Sequence, residues 1–67
     1  MTESDDAAVE PHFQVVEESD GRFHWELINP HATPVGRSME SFATADEAAA
    51  NAEYARQLIS RAPVRRP

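Results

Sequence analysis

Three histidines, two serines beside a glutamate and a scattered set of arginines are the residues of this chain with chemistry to offer. A zinc site needs three or four converging ligands at recognisable spacing. His12, His24 and His31 are twelve and seven residues apart, which matches no ligand motif, and there is no Cys to complete one. Ser38 and Ser41 flank Glu40, but a serine nucleophile needs a histidine within hydrogen-bond reach, and nothing in the sequence places one there. A carboxylate held among apolar side chains can act as an acid. Glu17 is the candidate, yet its place at the end of a hairpin gives it water. No catalytic, metal-binding or cofactor-binding residue is therefore assigned, and the chain is not expected to be an enzyme.

The arginines suggest a different chemistry. Arg22 and Arg37 lie near Phe23 and Trp25, and Arg61, Arg65 and Arg66 crowd the C-terminal end. Basic groups beside aromatic rings can hold phosphates and stack bases, so a weak RNA- or ribosome-associated accessory protein is the alternative reading. The overall charge opposes it. Twelve acids against six arginines, with no Lys, give -6, whereas a nucleic-acid binder needs a basic stripe. A Lys-free acidic composition fits proteins of very salty cytoplasm, whose carboxylates stay hydrated and keep molecules apart. A high-GC genome, rich in Arg codons, accounts for the missing Lys equally well.

Sixty-seven residues make one small domain. No apolar run approaches the roughly 20 residues of a membrane span. The first ten residues are acidic where a signal peptide would be basic, and without Cys there is no disulfide framework. A cytoplasmic location is the expectation. Residues 1–11 show no periodicity and are expected to form a disordered acidic tail. Residues 12–62 form the domain, and residues 63–67 a flexible basic tail.

Within the domain, His12–Glu18 and Arg22–Ile28 alternate apolar and polar residues around Ser19-Asp20-Gly21, which predicts an antiparallel β-hairpin. The turn fixes the register. A two-residue Asp-Gly turn would put Phe13 and Val15 on the opposite face from Trp25. A three-residue loop with Gly21 left-handed pairs Glu18 with Arg22, Val15 with Trp25 and Phe13 with Leu27. Since a one-residue slip turns every side chain to the other face, the second register is the expected one. Asn29–Pro34, with two prolines, predicts a loop. Val35–Met39 predicts a short third strand with Val35 and Met39 on one side, weakened by Gly36. Thr44-Ala-Asp-Glu47 is a capping box, so a helix should run from there to about Arg61. Ala48, Ala52, Ala55 and Ile59 align at 100° per residue, with Leu58 on their shoulder. The fold class is thus α+β: a hairpin and a short third strand packed by one C-terminal helix.

The expected core is Phe13, Val15, Phe23, Trp25, Leu27, Val35, Met39, Phe42, Leu58 and Ile59 with the alanines. That is thin, and domains of this size commonly add disulfides, metals or partners. Val16, His24 and Ile28 fall on the polar side of the hairpin, and Tyr54 lies off the helix stripe. These four form the expected partner interface, and a homodimer is the expected assembly.

Phe13-x-Val15, the Gly-containing turn, Phe23-His-Trp25-Glu-Leu27, Asn29, Ser38-Met-Glu40-Ser-Phe42 and the Ala-rich helix together resemble the YegP-like family. The resemblance spans Phe13 to Ile59, about two-thirds of the chain. It implies a strand-strand-strand-helix unit and, for a chain with a single copy, pairing of two copies. It implies no activity, because the family has none established. The chain departs from the family pattern at His24 and Glu26, where that pattern has arginines, and at Asn29-Pro30, where it has Asn-Gly. The combined expectation is a small non-enzymatic association module, homodimeric, with room for a further protein partner.

Overall fold

The computed structural model describes residues 10–67. In chain order they form β1 (His12–Glu17), β2 (Phe23–Ile28), β3 (Pro34–Arg37) and α1 (Ala45–Ile59). The strands make one antiparallel sheet in the order β1-β2-β3, with the helix on one face. The expectation for residues 1–11 lies outside the described residues except at Glu10 and Pro11, which are exposed and belong to no element.

The first hairpin has the register that its turn dictates. Val15 stands opposite Trp25 and Phe13 opposite Leu27. Glu18 N–H donates to Arg22 C=O at 2.7 Å, Gly21 N–H donates back to Glu18 C=O at 2.9 Å, and Gly21 has φ 87°. This is the three-residue loop with a left-handed glycine, whose twist suits the strands it joins.

The connection from β2 to β3 repeats that plan without a glycine. Asn29 N–H donates to Thr33 C=O at 3.0 Å, and Ala32 N–H donates to Asn29 C=O at 2.9 Å, with Ala32 at φ 63°. Pro30 has its fixed φ at the first central position of the turn, where proline is favoured. The Asn29 Oδ1 accepts from the backbone N–H of both His31 and Thr33, at 2.9 Å each. An alanine is thus held in a conformation that costs an L-residue roughly 1–2 kcal/mol, and the asparagine side chain helps to hold it.

The third strand is Pro34–Arg37, starting one residue earlier and stopping two earlier than expected. Its pairing with β2 is broken by an irregularity between Leu27 and Ile28. Ser38 N–H still donates to Trp25 C=O at 2.9 Å, and there the chain leaves the ladder. Ser38 Oγ accepts the Trp25 N–H at 3.2 Å and donates to Glu40 C=O at 2.9 Å, in place of a continued strand. The backbone rejoins at Phe42, which exchanges both hydrogen bonds with Phe23, at 2.8 and 2.7 Å. Met39 sits on the excursion between these points and is fully exposed. Its expected place in the core is incorrect for that reason.

The helix begins with Thr44 as its cap, and the reciprocal bond of the capping box is shifted by one residue. Glu47 N–H donates to Thr44 Oγ1 at 3.1 Å, while the Glu47 carboxylate reaches past Thr44 to accept from Ala43 N–H at 3.1 Å. It ends at Ile59 with Ser60 as cap, two residues short of the expected Arg61. Ala48 and Ala52 are buried and Ala55 is half-buried, but Ile59 on the same stripe is 52% exposed. The last turn of the helix therefore leaves the sheet. The helix touches β1 and β2 but not β3, and Leu58 stays about half exposed. Val35 is exposed for another reason: its neighbour Gly36 takes the place opposite Leu27 on the helix face, so alternation turns Val35 to the other face. Val35, Leu58 and Ile59 thus join Met39 outside the core. What remains buried and apolar is Trp25, Ala48 and Ala52, with Phe13, Val15, Phe23, Leu27 and Phe42 half-buried around them. Phe13 meets Trp25 edge-on, ring centres 5.1 Å apart and planes at 71°, a favoured aromatic geometry. The Trp25 indole N–H donates to Asn51 Oδ1 at 2.7 Å, tying sheet to helix.

Candidate functional site

The polar chemistry of the molecule collects on the sheet face away from the helix. Alternation along the hairpin puts Glu18, His24 and Glu26 there together. His24 Nδ1 is 2.8 Å from Glu18 Oε2, and His24 Nε2 is 3.0 Å from Glu26 Oε2. Ser41 Oγ lies within 2.9 and 3.0 Å of the two Glu18 oxygens. His24 is only 7% exposed, although no layer of secondary structure covers this face. The carboxylates fold over it. An ionised carboxylate only accepts, and a neutral imidazole has one N–H, so both ring contacts are hydrogen bonds only in the imidazolium form.

This arrangement differs from the sequence expectation in two respects. His24 is on the outer face, but neighbouring acids enclose it rather than leaving it free for solvent or a partner. Ser41 does share a cluster with a histidine, because the Phe23–Phe42 bridge brings residues 38–42 back beside the first turn. A pair of phenylalanines nineteen residues apart was the only signal, and it does not specify a bridge. Chemically, the Ser41 hydroxyl donates to Glu18 and not to His24, so the serine is not activated as a nucleophile. Both His24 ring nitrogens face carboxylates, at 2.8 and 3.0 Å. Among the described residues no three His, Asp or Glu side chains are grouped to hold an ion. His12 contacts Glu10 C=O at 2.8 Å, and His31 is exposed in the second turn. Glu17 is exposed, in keeping with its place at the hairpin end.

The arginines do not converge. Arg22 donates to Ser41 C=O at 2.7 Å, near the start of α1. Arg37 stands opposite Glu26 on β3. Arg61, Arg65 and Arg66 follow the far end of a 15-residue helix, about 22 Å long. Arg56, on the helix itself, is paired with Glu53. That contact holds the Glu53 carboxyl below its ordinary range and pushes the Arg56 guanidinium further up, each chiefly through the side-chain hydrogen bond between them.

The expected partner residues are likewise divided. Val16, His24 and Ile28 share the outer face, whereas Tyr54, 60% exposed, is on the helix across the sheet. The helix side offers a more continuous apolar feature. A groove of about 500 Å³ runs between β1 and α1, floored by Phe13, Val15, Leu27 and Ala52, with His12, Glu53 and Arg56 at its rim. Sequence reasoning did not find it, since it placed these floor residues in a closed core.

No helix among the described residues is long and apolar enough to cross a membrane. No protein-family model and no curated protein matches the chain. The chain is similar to a protein from Haloferax volcanii whose structure was solved in solution by NMR, at 21% identity and a TM-score of 0.70. The likeness covers 84% of this chain and 93% of the other. At that identity it establishes the arrangement of three antiparallel strands and one helix.

Proposed function

We propose that this chain is a non-enzymatic association module that works as a homodimer, a single-copy unit of the YegP-like kind acting in the cytoplasm. The observation that carries this reading is the apolar surface one copy leaves uncovered. The groove floor is open on the β1 flank of the helix, Tyr54, Leu58 and Ile59 stand in solvent elsewhere on it, and the buried apolar core is one tryptophan and two alanines. Apolar surface left uncovered on a domain this small marks association sites. Two open sheet edges add unpaired backbone groups to it. The acidic surface suits concentrated salt, and the structural likeness to a Haloferax protein, from a halophile, supports that part of the reading. The RNA-associated alternative has less behind it, because its arginines lie at both ends of the helix and Arg22 is already engaged.

Light scattering over a dilution series, at low and at molar salt, tests the proposal. The expected result is a mass of two chains that tightens with salt, as the repulsion between two copies of charge -6 is screened. A folded monomer at every salt and concentration would overturn it.

A further inference from the structure

We infer that the seam between the two copies is the free edge of β1, paired with itself about a two-fold axis at Gln14; this rests on the homodimer proposed above. The two edges of the sheet are unequal. β3 is four residues long, opens on Pro34, contains Gly36 and pairs irregularly with β2, all features that blunt an edge. β1 is six residues long and regularly paired, with no proline and no bulge. Its outward backbone groups can be assigned. Phe23 and Trp25 turn theirs toward residues 38–42, so His24 and Glu26 turn theirs toward Val16 and Gln14 of β1. The N–H and C=O groups of Phe13, Val15 and Glu17 therefore point away from the sheet. The Val15 carbonyl meets only the Gln14 side-chain amide, at 3.4 Å, among the described contacts.

Two β1 strands that meet antiparallel in a continuous sheet keep their helices on the same face only if residues of like parity stand opposite. Centring the axis on Gln14 sets Phe13 against the second copy's Val15 and the reverse, so all four apolar side chains form one patch and the two grooves join. Centring it on Val15 would instead set Phe13 against Glu17, an aromatic ring against a carboxylate. The charges on the helix flank agree with a second copy as occupant. Glu53 and Arg56 form an ion pair at the groove rim, and a two-fold reverses their order, so the two pairs can join in one four-charge network. Glu53 of one copy then looks toward Arg56 of the other, which makes the flank self-complementary. On the outer face Gln14 meets its own counterpart on the axis.

That last contact gives the test. Gln14 is exposed and its neighbour across the hairpin is Glu26, so Gln14→Lys leaves the fold of one copy intact. It sets two like charges together at the axis, and the dissociation constant should rise by about tenfold or more at low salt. Gln14→Glu should weaken self-pairing likewise, and mixing the two variants should restore a tight heterodimer. NMR on a mixture of isotope-labelled and unlabelled wild-type chains should show contacts between the Phe13 ring of one copy and the Val15 methyls of the other. A dimer indifferent to both substitutions, with no such contacts, overturns this seam and leaves the homodimer standing. A wild-type monomer under all conditions overturns both.

Discussion

The two turns of the sheet follow one backbone plan with different residues. In Glu18–Arg22 and in Asn29–Thr33 alike, the first residue accepts from the fourth and donates to the fifth, and the fourth residue is left-handed. The first turn fills that position with Gly21, which adopts it freely. Asp20 adds one side-chain hydrogen bond, accepting from Arg22 N–H at 3.0 Å. The second turn fills it with Ala32 and adds Pro30 and two hydrogen bonds to the Asn29 side chain. Backbone freedom at one site is thus replaced by side-chain restraint at the other. A left-handed turn can be specified from its own residue or from a neighbour.

The sharpest way to break that equivalence is Asn29→Ala. It removes both restraining contacts while Ala32 keeps its strain, and stability should fall by about 1–2 kcal/mol, read as a lower denaturant midpoint. A change within error would mean that Asn29 does not hold the turn. Gly21→Ala should come next, at about 1 kcal/mol. Nothing lies within 4 Å of the added Cβ, so the loss would report backbone conformation alone. The reciprocal change, Ala32→Gly, should raise the midpoint by about 0.5 kcal/mol, because relief of strain is partly offset by the freer unfolded chain. If it destabilises instead, the second turn is not strained as described.

The smallest effect belongs far from either turn. Glu53→Gln removes an exposed ion pair on the helix and should leave the midpoint at neutral pH almost unmoved. Because the Glu53 carboxyl is held below its ordinary range in the folded chain, its contribution is present above the unfolded carboxylate's pKa. It is lost as pH falls through the lower folded value. The variant should therefore differ from wild type less, not more, as acid is added. A two-dimensional NMR titration of the Glu53 side chain checks the direction.

Legibility from sequence followed the same division. The first hairpin could be read to the exact pairing because a glycine announces its left-handed position and alternation leaves one register that keeps Phe13, Val15 and Trp25 on a face. The second turn could be read only as a loop, since alanine carries no signal for positive φ and the restraint sits three residues earlier, in Asn29. The helix start was legible through Thr44 and Glu47, which act locally. The burial of Leu58 and Ile59 was not, because periodicity gives the direction a side chain faces but not whether the sheet extends beneath it. The acid-enclosed His24 was half legible: the register gave its face, while Ser41 reaches it through a chain excursion that no local pattern marks.

Trp25 is the single tryptophan, and its surroundings make it a ready optical probe. Its ring packs against Phe13 of β1, its indole N–H ends on Asn51 of the helix, and its backbone N–H ends on Ser38 beyond β3. Each neighbour belongs to a different part of the chain. Undocking of the helix would hydrate the indole nitrogen and shift the emission to the red while leaving the aromatic coupling with Phe13 in the near-ultraviolet dichroism. Opening of the first hairpin would erase that dichroic signal first. The order in which the two spectra change on heating would therefore report which element leaves first, with no label attached.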